Sequence, residues 1–258
     1  MSSPDWWEKA EVGIHEAVAD FSDRVRKKTN ESPSKILVAK NPFLFRARVT
    51  TDAELLARMI VDAFLSSSEE TMFGDVLEQI ALAICSPAKG GRKSSTESID
   101  LEYDVGKQRT IIQVKSGPKW SNSRSRKALE RSFSTAKRVI RQGRTDIEVR
   151  CIEGICYGPS GTRDMGEYWK LIGNDFWYDI SDWDGTARGV FQIIGQHAGN
   201  GLEEARRNAY DNLISYMRIS GAITPASQVD WDTLLEMVMT KGGKPAASNQ
   251  PGLLPGQH

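Results

Sequence analysis

The chain has 258 residues, of which 39% are hydrophobic, enough for a buried core in one large domain or in one domain with helical additions. Its 34 basic and 34 acidic residues cancel, so net charge does not mark it as a nucleic-acid-binding protein. Its first residues do not resemble a signal peptide, no apolar run approaches the roughly 20 residues needed to cross a bilayer, and its three cysteines lack CxxC spacing. We therefore expect a soluble protein of a reducing intracellular compartment, with no membrane partner.

Hydrophobic residues recur at helical spacing in several stretches of the chain. The predicted helices span residues 5–28, 53–65, 71–85, 125–140, 201–219 and 231–239. The segment Ser66–Glu70 is typical of an N-cap, so we expect one helix to end before it and another to begin after it. Residues 241–258 are rich in Gly and Pro and low in apolar residues, and we expect a disordered tail there.

Period-two patterns predict a small β-sheet in the middle of the chain. Ile99–Val105 and residues 111–115 alternate apolar and polar residues around a Gly106–Lys107 turn, which predicts a β-hairpin. Residues 147–157 (IEVRCIEGICY) are typical of a buried strand, and residues 158–166 of a loop. The order of these elements predicts a mixed α/β fold with a small mixed central sheet flanked by helices.

The predicted hairpin gathers carboxylates on one face of its first strand. Alternation places Asp100, Glu102 and Asp104 on that face, with the intervening apolar residues on the other, and places Gln113 beside Lys115 on the second strand. Mg²⁺ prefers such oxygen ligands and activates a bound water, while a neighbouring lysine can offset charge on an attacked phosphorus. The alternative is a solvent-exposed hairpin whose acids and lysine pair across the strands, and alternation alone does not exclude it.

A basic segment follows the hairpin directly. The range Lys115–Arg150 has eleven basic and three acidic residues, whereas Thr51–Ile80 has one basic and seven acidic residues. Phosphates accept hydrogen bonds from such side chains and arginine binds guanine edges, so this segment predicts DNA contacts, although a solvated basic helix is the alternative for any single residue. The polar loop at 86–97, which contains KGGRKSS, is a second candidate for backbone contact. The candidate DNA-binding residues are Ser116, Lys119, Trp120, Ser121, Asn122, Ser123, Arg124, Arg126, Lys127 and Arg131.

Several segments taken together resemble a known nuclease family. A helix carrying GDVLE up to Glu78, a strand opened by Asp100 and a second strand ending in Gln113-Val114-Lys115 resemble the PD-(D/E)xK nuclease superfamily. The tracts VKSGPKW, CYGPSGT, GNDFWYDIS and WDTLLEMV are similar to type II restriction endonucleases, especially the group that cuts interrupted GG…CC sites. The resemblance runs from about Asn41 to Met239, and it implies a restriction-endonuclease-like core with added N- and C-terminal helices.

The resemblance implies a role for each matched residue. Asp100 matches the metal-binding aspartate, Lys115 the catalytic lysine and Glu78 the acid of the helix, while Gln113 stands where a second carboxylate is more usual. An amide oxygen can bind Mg²⁺ but brings no charge. Either Glu102 or Glu78 supplies the missing charge as a metal ligand, or metal binds weakly until the scissile phosphate arrives, or the site is inactive.

The expected protein is a Mg²⁺-dependent, homodimeric type II restriction endonuclease of a prokaryotic cytoplasm. It would cut double-stranded DNA at a short (pseudo)palindromic site, whose symmetry favours a two-fold dimer. We expect a helical and dimerising region at 1–50, the endonuclease core at 51–200 and C-terminal helices at 201–240, followed by the tail. The alternatives are a structure-specific or repair nuclease of the same superfamily and a non-catalytic DNA-binding protein with a degenerate nuclease core.

Overall fold

The structure is a computed structural model and describes residues 2–49, 51–118, 123–143, 146–197 and 201–240. The helices are α1 Trp7–Thr29, α2 Pro33–Val38, α3 Pro42–Arg48, α4 Ala53–Lys89, α5 Ser123–Gly143, α6 Asn174–Asp179, α7 Thr186–Gln196, α8 Leu202–Ile219 and α9 Trp231–Met239. The strands are β1 Arg92–Lys93, β2 Leu101–Val105, β3 Gln108–Lys115, β4 Glu148–Ile155, β5 Gly161–Asp164 and β6 Trp169–Ile172. Within these residues, no helix has the length and hydropathy needed to span a membrane.

The described residues form two compact units. The first lies within Met1–Ser22 and Thr71–Ala198, and the second within Asp23–Glu70 and Gly199–His258. Helices α1 and α4 each supply residues to both units. The units group residues differently from the three segments expected from the sequence, and the proposed roles of those segments stay a prediction.

The first unit contains a six-stranded mixed sheet in the order β1-β2-β3-β4-β6-β5. Strands β2 and β3 form the predicted hairpin, and Gly106 begins its turn with a φ of 59°, which glycine adopts without steric cost. Strand β4 pairs in parallel with both β3 and β6, and β5 closes the sheet as an antiparallel edge strand. The predicted mixed α/β fold with a central sheet flanked by helices is confirmed.

Each face of the sheet packs against helices. On one face, Leu101, Ile112 and Ile152 pack into a core with residues of α1, α4, α6 and α7. On the other face, Ile111 and Cys151 pack against the buried side of α5. Helices α4 and α5 therefore cover opposite faces of the hairpin strands.

The second unit is helical in its described residues. Its core joins α2, α3, the first half of α4, α8 and α9, with Leu56, Leu213 and Met217 among the fully buried side chains. Helix α9 begins at a capped end, because the Asp230 side chain accepts a hydrogen bond from the Thr233 N–H. Its span, 231–239, is the one predicted from the sequence.

The prediction that Ser66–Glu70 separates two helices is wrong. Helix α4 runs without a break through this segment. The hydroxyls of Ser67 and Ser68 donate back to the carbonyl oxygen of Phe64, one turn earlier. Serines bonded into the preceding turn are compatible with a helix interior, and so they do not cap a new N-terminus here.

Other differences concern segments with weak apolar patterns. Helix α4 continues through Pro87 into the predicted polar loop at 86–97, which also contains β1. The predicted loop at 158–166 contains β5, whose exposed residues give no apolar alternation. The tail at 241–258 lies outside the described residues, so the prediction of disorder there stays a prediction.

Candidate active site

Asp100 lies immediately before β2, where the chain enters the sheet. Two residues before Asp100, Ser98 has a φ of 64°, a left-handed conformation that is uncommon for a residue other than glycine. The Asp100 N–H donates to the carbonyl oxygen of Ile112 (2.9 Å), and its Oδ2 accepts a hydrogen bond from the Val114 N–H (2.7 Å). Two hydrogen bonds to β3 therefore fix this carboxylate beside the end of that strand.

The predicted alternation of the first hairpin strand does not extend back to Ile99. Ile99 packs in the core beside α5, whereas Leu101 packs in the core on the opposite face. The two residues were predicted to share a face, and that prediction is wrong because β2 begins only at Leu101, after the turn at Ser98. The local turn, and not strand periodicity, therefore sets the position of Asp100.

Glu78 of α4 lies in the electrostatic field of Asp100. The pKa of Glu78 is raised to about 7, first by burial and then by the negative charge of Asp100, against the opposing charge of Lys115. Burial also raises the pKa of Asp100, against the hydrogen bond from Val114 and the charges of Lys115 and Lys93. Two carboxylates whose charged forms are disfavoured, with two lysines beside them, are typical of a functional site that receives a cation.

Lys115 is the last residue of β3 and is half-buried. Its ammonium group donates to the carbonyl oxygen of Val114 (2.9 Å), and its charge lowers the pKa of both Glu78 and Asp100. The structure thus brings together three of the residues that the sequence motif selected. An ammonium group in this position can bind an anionic phosphoryl group or hold a water molecule.

Gln113 faces the same end of the hairpin. Its Nε2 donates to the carbonyl oxygen of Ser98 (3.0 Å), so the amide oxygen is the atom of this side chain that could bind a metal. In the parallel register, Gln113 lies beside Glu153 of β4, which is 1% exposed and forms an ion pair with Lys170 (3.1 Å). A buried carboxylate therefore lies one strand away from the position that lacks one.

Glu102 lies in a different environment from Asp100, although the sequence suggested both as metal ligands. Glu102 is 6% exposed, and its carboxylate contacts Arg92 (2.7 Å) and Arg109 (3.7 Å) and accepts a hydrogen bond from Ser94 (2.9 Å). These three partners bind the carboxylate of Glu102 within the sheet. The structure therefore does not bring Glu102 into the cluster formed by Asp100, Glu78 and Lys115.

The donor set at the hairpin end suits a divalent cation of the Mg²⁺ type. It consists of the carboxylates of Asp100 and Glu78 and the amide oxygen of Gln113, all hard oxygen donors, and Mg²⁺ keeps several water ligands of its own. Among the described residues, no three His, Cys, Asp or Glu side chains lie close enough together to hold a metal ion. Gln113 is not one of these residue types, and its amide oxygen is a neutral donor.

Lys93 is a cation near Asp100 and Glu78 that the motif did not select. It lies on β1, opposite Leu101 of β2, and its charge lowers the pKa of both Glu78 and Asp100. Its sequence signal was the KGGRKSS tract, which indicated phosphate contact without indicating a place in the site. Glu153 was also missed, and its signal was the one acid within the buried second half of β4, Cys151–Ile155.

The basic segment after the hairpin is only partly described. Ser116 directly follows Lys115, and its carbonyl oxygen accepts a hydrogen bond from the Tyr157 N–H. Lys119, Trp120, Ser121 and Asn122 lie outside the described residues. The remaining candidates lie on α5 and are exposed: Ser123, Arg124, Arg126, Lys127 and Arg131. Since the opposite side of α5 is buried against the sheet, these cations form an exposed basic face at the start of the helix.

Comparison with known proteins identifies the family. The family model for the type II restriction endonuclease EcoO109I matches residues 9–201, well over half of the chain and a range that includes Glu78, Asp100, Gln113 and Lys115. The chain belongs to this family of restriction-modification enzymes. It is a site-specific deoxyribonuclease that binds double-stranded DNA, and the predicted resemblance to enzymes of interrupted GG…CC sites is confirmed. No curated protein matches the chain significantly.

Proposed function

We propose that this endonuclease hydrolyses phosphodiester bonds with Mg²⁺ at the end of the β2–β3 hairpin. Asp100, Glu78 and the amide oxygen of Gln113 hold the metal, and Lys115 is the catalytic lysine. The observation that carries the proposal is the shared electrostatic cluster of Asp100, Glu78 and Lys115, in which both acids have a raised pKa. Such a cluster is poorly satisfied by the protein itself, and a divalent cation would relieve it.

Each residue has a separate task in the reaction. Lys115 holds the attacking water and offsets the negative charge that develops on the phosphoryl oxygens. Asp100 is held by the Val114 N–H, so it presents its remaining oxygen in a fixed direction. Glu78 exchanges its proton near neutral pH and becomes a ligand when it is deprotonated. Mg²⁺, when bound, polarises the scissile phosphate and lowers the pKa of a bound water.

The weak negative charge of this ligand set has a consequence for the order of binding. With an amide at Gln113 and with Glu102 held by arginines, the charged ligands of this proposed set are Asp100 and Glu78. We therefore propose that metal affinity is low in the free enzyme and rises when the scissile phosphate adds its own oxygens.

DNA reaches this site along the exposed basic face at the start of α5. Arg124, Arg126, Lys127 and Arg131 neutralise phosphates, and residues of the segment 116–123 contact the backbone or base edges. We propose a short (pseudo)palindromic recognition site of the interrupted GG…CC type. A homodimer would place two such hairpins on the two strands, since the two-fold symmetry of the site matches that of the dimer.

The test is digestion of unmethylated phage DNA by the purified protein with Mg²⁺. Wild type is compared with Lys115→Ala, Gln113→Glu and a control, Lys107→Ala, which alters an exposed lysine in the turn at the opposite end of the hairpin. Discrete fragments from wild type and from the control, with none from Lys115→Ala, would support the proposal, and the fragment ends would give the site. Cutting by Gln113→Glu alone would mean a core disabled by its glutamine, and cutting restricted to branched or damaged DNA would favour a repair nuclease.

A further inference from the structure

Tyr157 lies next to the segment that follows the catalytic lysine. Backbone pairing between β3 and β4 continues past the ends of both strands. The Cys156 N–H donates to the carbonyl oxygen of Lys115 (2.9 Å), and the Tyr157 N–H donates to that of Ser116 (3.2 Å). Tyr157 is therefore tied to the chain one residue beyond Lys115.

The phenol ring of Tyr157 rests on the backbone of Gly117. A Cβ atom added at Gly117 would lie 2.4 Å from both Cζ and the hydroxyl oxygen of Tyr157, closer than atoms can approach. The absence of a side chain at Gly117 thus allows the hydroxyl end of the ring to lie two residues after the catalytic lysine. The ring nevertheless remains 63% exposed.

The chain around Tyr157 is anchored by several contacts. The indole N–H of Trp177 donates to the carbonyl oxygen of Cys156 (2.8 Å), and Gly158, with a φ of 137°, passes close to Ile172 and Pro118. Further along, the Ser160 hydroxyl accepts a hydrogen bond from the Asn174 N–H (3.0 Å). A side chain held in place on both sides but left open to solvent is better suited to contact a partner than to stabilise the core.

We propose that the Tyr157 hydroxyl donates a hydrogen bond to a DNA phosphate next to the scissile one, and so fixes the strand against Lys115. The inference rests on the proposed active site. Tyrosine hydroxyls are common donors to DNA phosphates. Tyr157 is then a substrate-contacting residue that acts on binding of the cleaved strand, and not a group of the chemical step.

The experiment measures binding to a duplex that carries the mapped site, with Ca²⁺ in place of Mg²⁺ and with a gel to verify that the DNA stays uncut. Tyr157→Phe is compared with wild type and with Tyr178→Phe, a control tyrosine on α6 that is also exposed (47%). We expect Tyr157→Phe to weaken binding about tenfold, the size of a hydrogen bond to a charged group, and the control to leave it unchanged.

A series of duplexes, each with one methylphosphonate near the cut, locates the contact. At the phosphate bound by Tyr157, the substitution removes the acceptor, so wild type and Tyr157→Phe should bind that duplex equally and all others unequally. Gly117→Ala should displace the ring and cause the same loss, with no further loss in the double variant. Equal binding by wild type and Tyr157→Phe on every duplex, or the same penalty on every duplex, would overturn the proposal.

The outcome is separable from that of the proposed function. Wild type that fails to cut DNA with Mg²⁺ would count against the proposed active site, whereas wild type that cuts while Tyr157→Phe binds as tightly as wild type would count only against Tyr157. If wild type does not cut, the same duplex comparison is made on a fragment chosen by affinity. A Tyr157→Phe penalty there that one methylphosphonate abolishes would still identify the phosphate contact.

Discussion

Two pairs of carboxylates, Glu102 with Asp104 and Asp100 with Glu78, lie at the same hairpin but have different partners. Glu102 and Asp104 lie between two arginines, with Arg109 Nε at 2.7 Å and Arg92 Nη2 at 3.4 Å from the Asp104 oxygens. For Asp100 and Glu78, the cations that act on the pKa are the lysines Lys115 and Lys93, and the negative charge of Asp100 also acts on Glu78.

The pKa values of Asp104, Asp100 and Glu78 record this difference. The hydrogen bond and charge of Arg109 lower the pKa of Asp104, whereas burial raises the pKa of Asp100 and of Glu78. Acids that the protein itself satisfies contribute to the fold, and acids that it leaves unsatisfied are available for a ligand. Counting carboxylates on a strand does not separate the two kinds, but their partners do.

The largest expected effect is at Lys115. Lys115→Ala should lower the single-turnover cleavage rate at least about 1,000-fold, because an ammonium group that stabilises charge in the transition state contributes several kcal/mol. Cleavage of a mapped site with Mg²⁺ in excess measures it. Lys107→Ala is the matched control on the same hairpin, and equal losses in both variants would contradict the assignment.

Removing an arginine that contacts Glu102 and Asp104 should affect the stability of the protein instead of its cleavage rate. Arg109→Gln leaves Glu102 with a single arginine and removes the two-point contact to Asp104, so we expect a loss of about 2 kcal/mol in the free energy of unfolding. Urea denaturation without metal measures it. A variant as stable as wild type would show that this group of charges does not support the hairpin.

The pH dependence of stability should identify Glu78. Its pKa is about 7 in the folded protein against an ordinary value of 4.5, so the folded protein keeps a proton that the unfolded chain has lost between these values. The stability of the metal-free enzyme therefore falls as pH rises from about 4.5 to about 7. In Glu78→Gln this fall should be smaller. The difference in the free energy of unfolding between the variant and wild type should therefore shift by about 1 kcal/mol in favour of the variant from pH 4 to pH 8, a figure reduced for partial exposure.

Thermal unfolding in EDTA across this pH range measures the effect of Glu78. Added Mn²⁺ at pH 8 should then stabilise wild type more than Glu78→Gln, since only wild type offers this carboxylate to the metal. Parallel pH profiles for the two proteins would argue against a raised pKa at this residue.

The smallest expected effect is at Gln113. Gln113→Glu adds a charged ligand and should tighten Mn²⁺ binding about fivefold, a gain limited by Glu153 beside it in the register. Gln108→Glu, at the start of the same strand, is the control. Calorimetric titration measures both, and equal change in both variants would mean that Gln113 does not face the metal.

Much of the site could be predicted from the sequence because its signals are local. The turn at Gly106, the short strand ending in Lys115 and the helix carrying Glu78 each show their type within a few residues. These segments follow one another in the order of the PD-(D/E)xK motif, and that order selected Asp100 and Lys115. The structure places both residues in one electrostatic cluster.

The rest depended on contacts that are distant in sequence. The role of Glu102 is set by Arg92, which reaches it only because β1 pairs with β2, and nothing in the hairpin itself shows this register. Strand β5 has polar, exposed residues and so lacks the alternation that reveals a strand. The serines of α4 have the composition of a cap, but their hydroxyls bond within the helix.

The most direct test of the difference between the two pairs of acids is the cleavage rate of Asp100→Asn beside that of Glu102→Gln. The thermal unfolding of each variant is measured in parallel. The account predicts that Asp100→Asn loses at least about 1,000-fold in rate without loss of stability, while Glu102→Gln cuts within a few-fold of wild type but unfolds at a lower temperature. Normal cutting by Asp100→Asn, or loss of cutting in a stable Glu102→Gln, would place the metal on the other pair of acids.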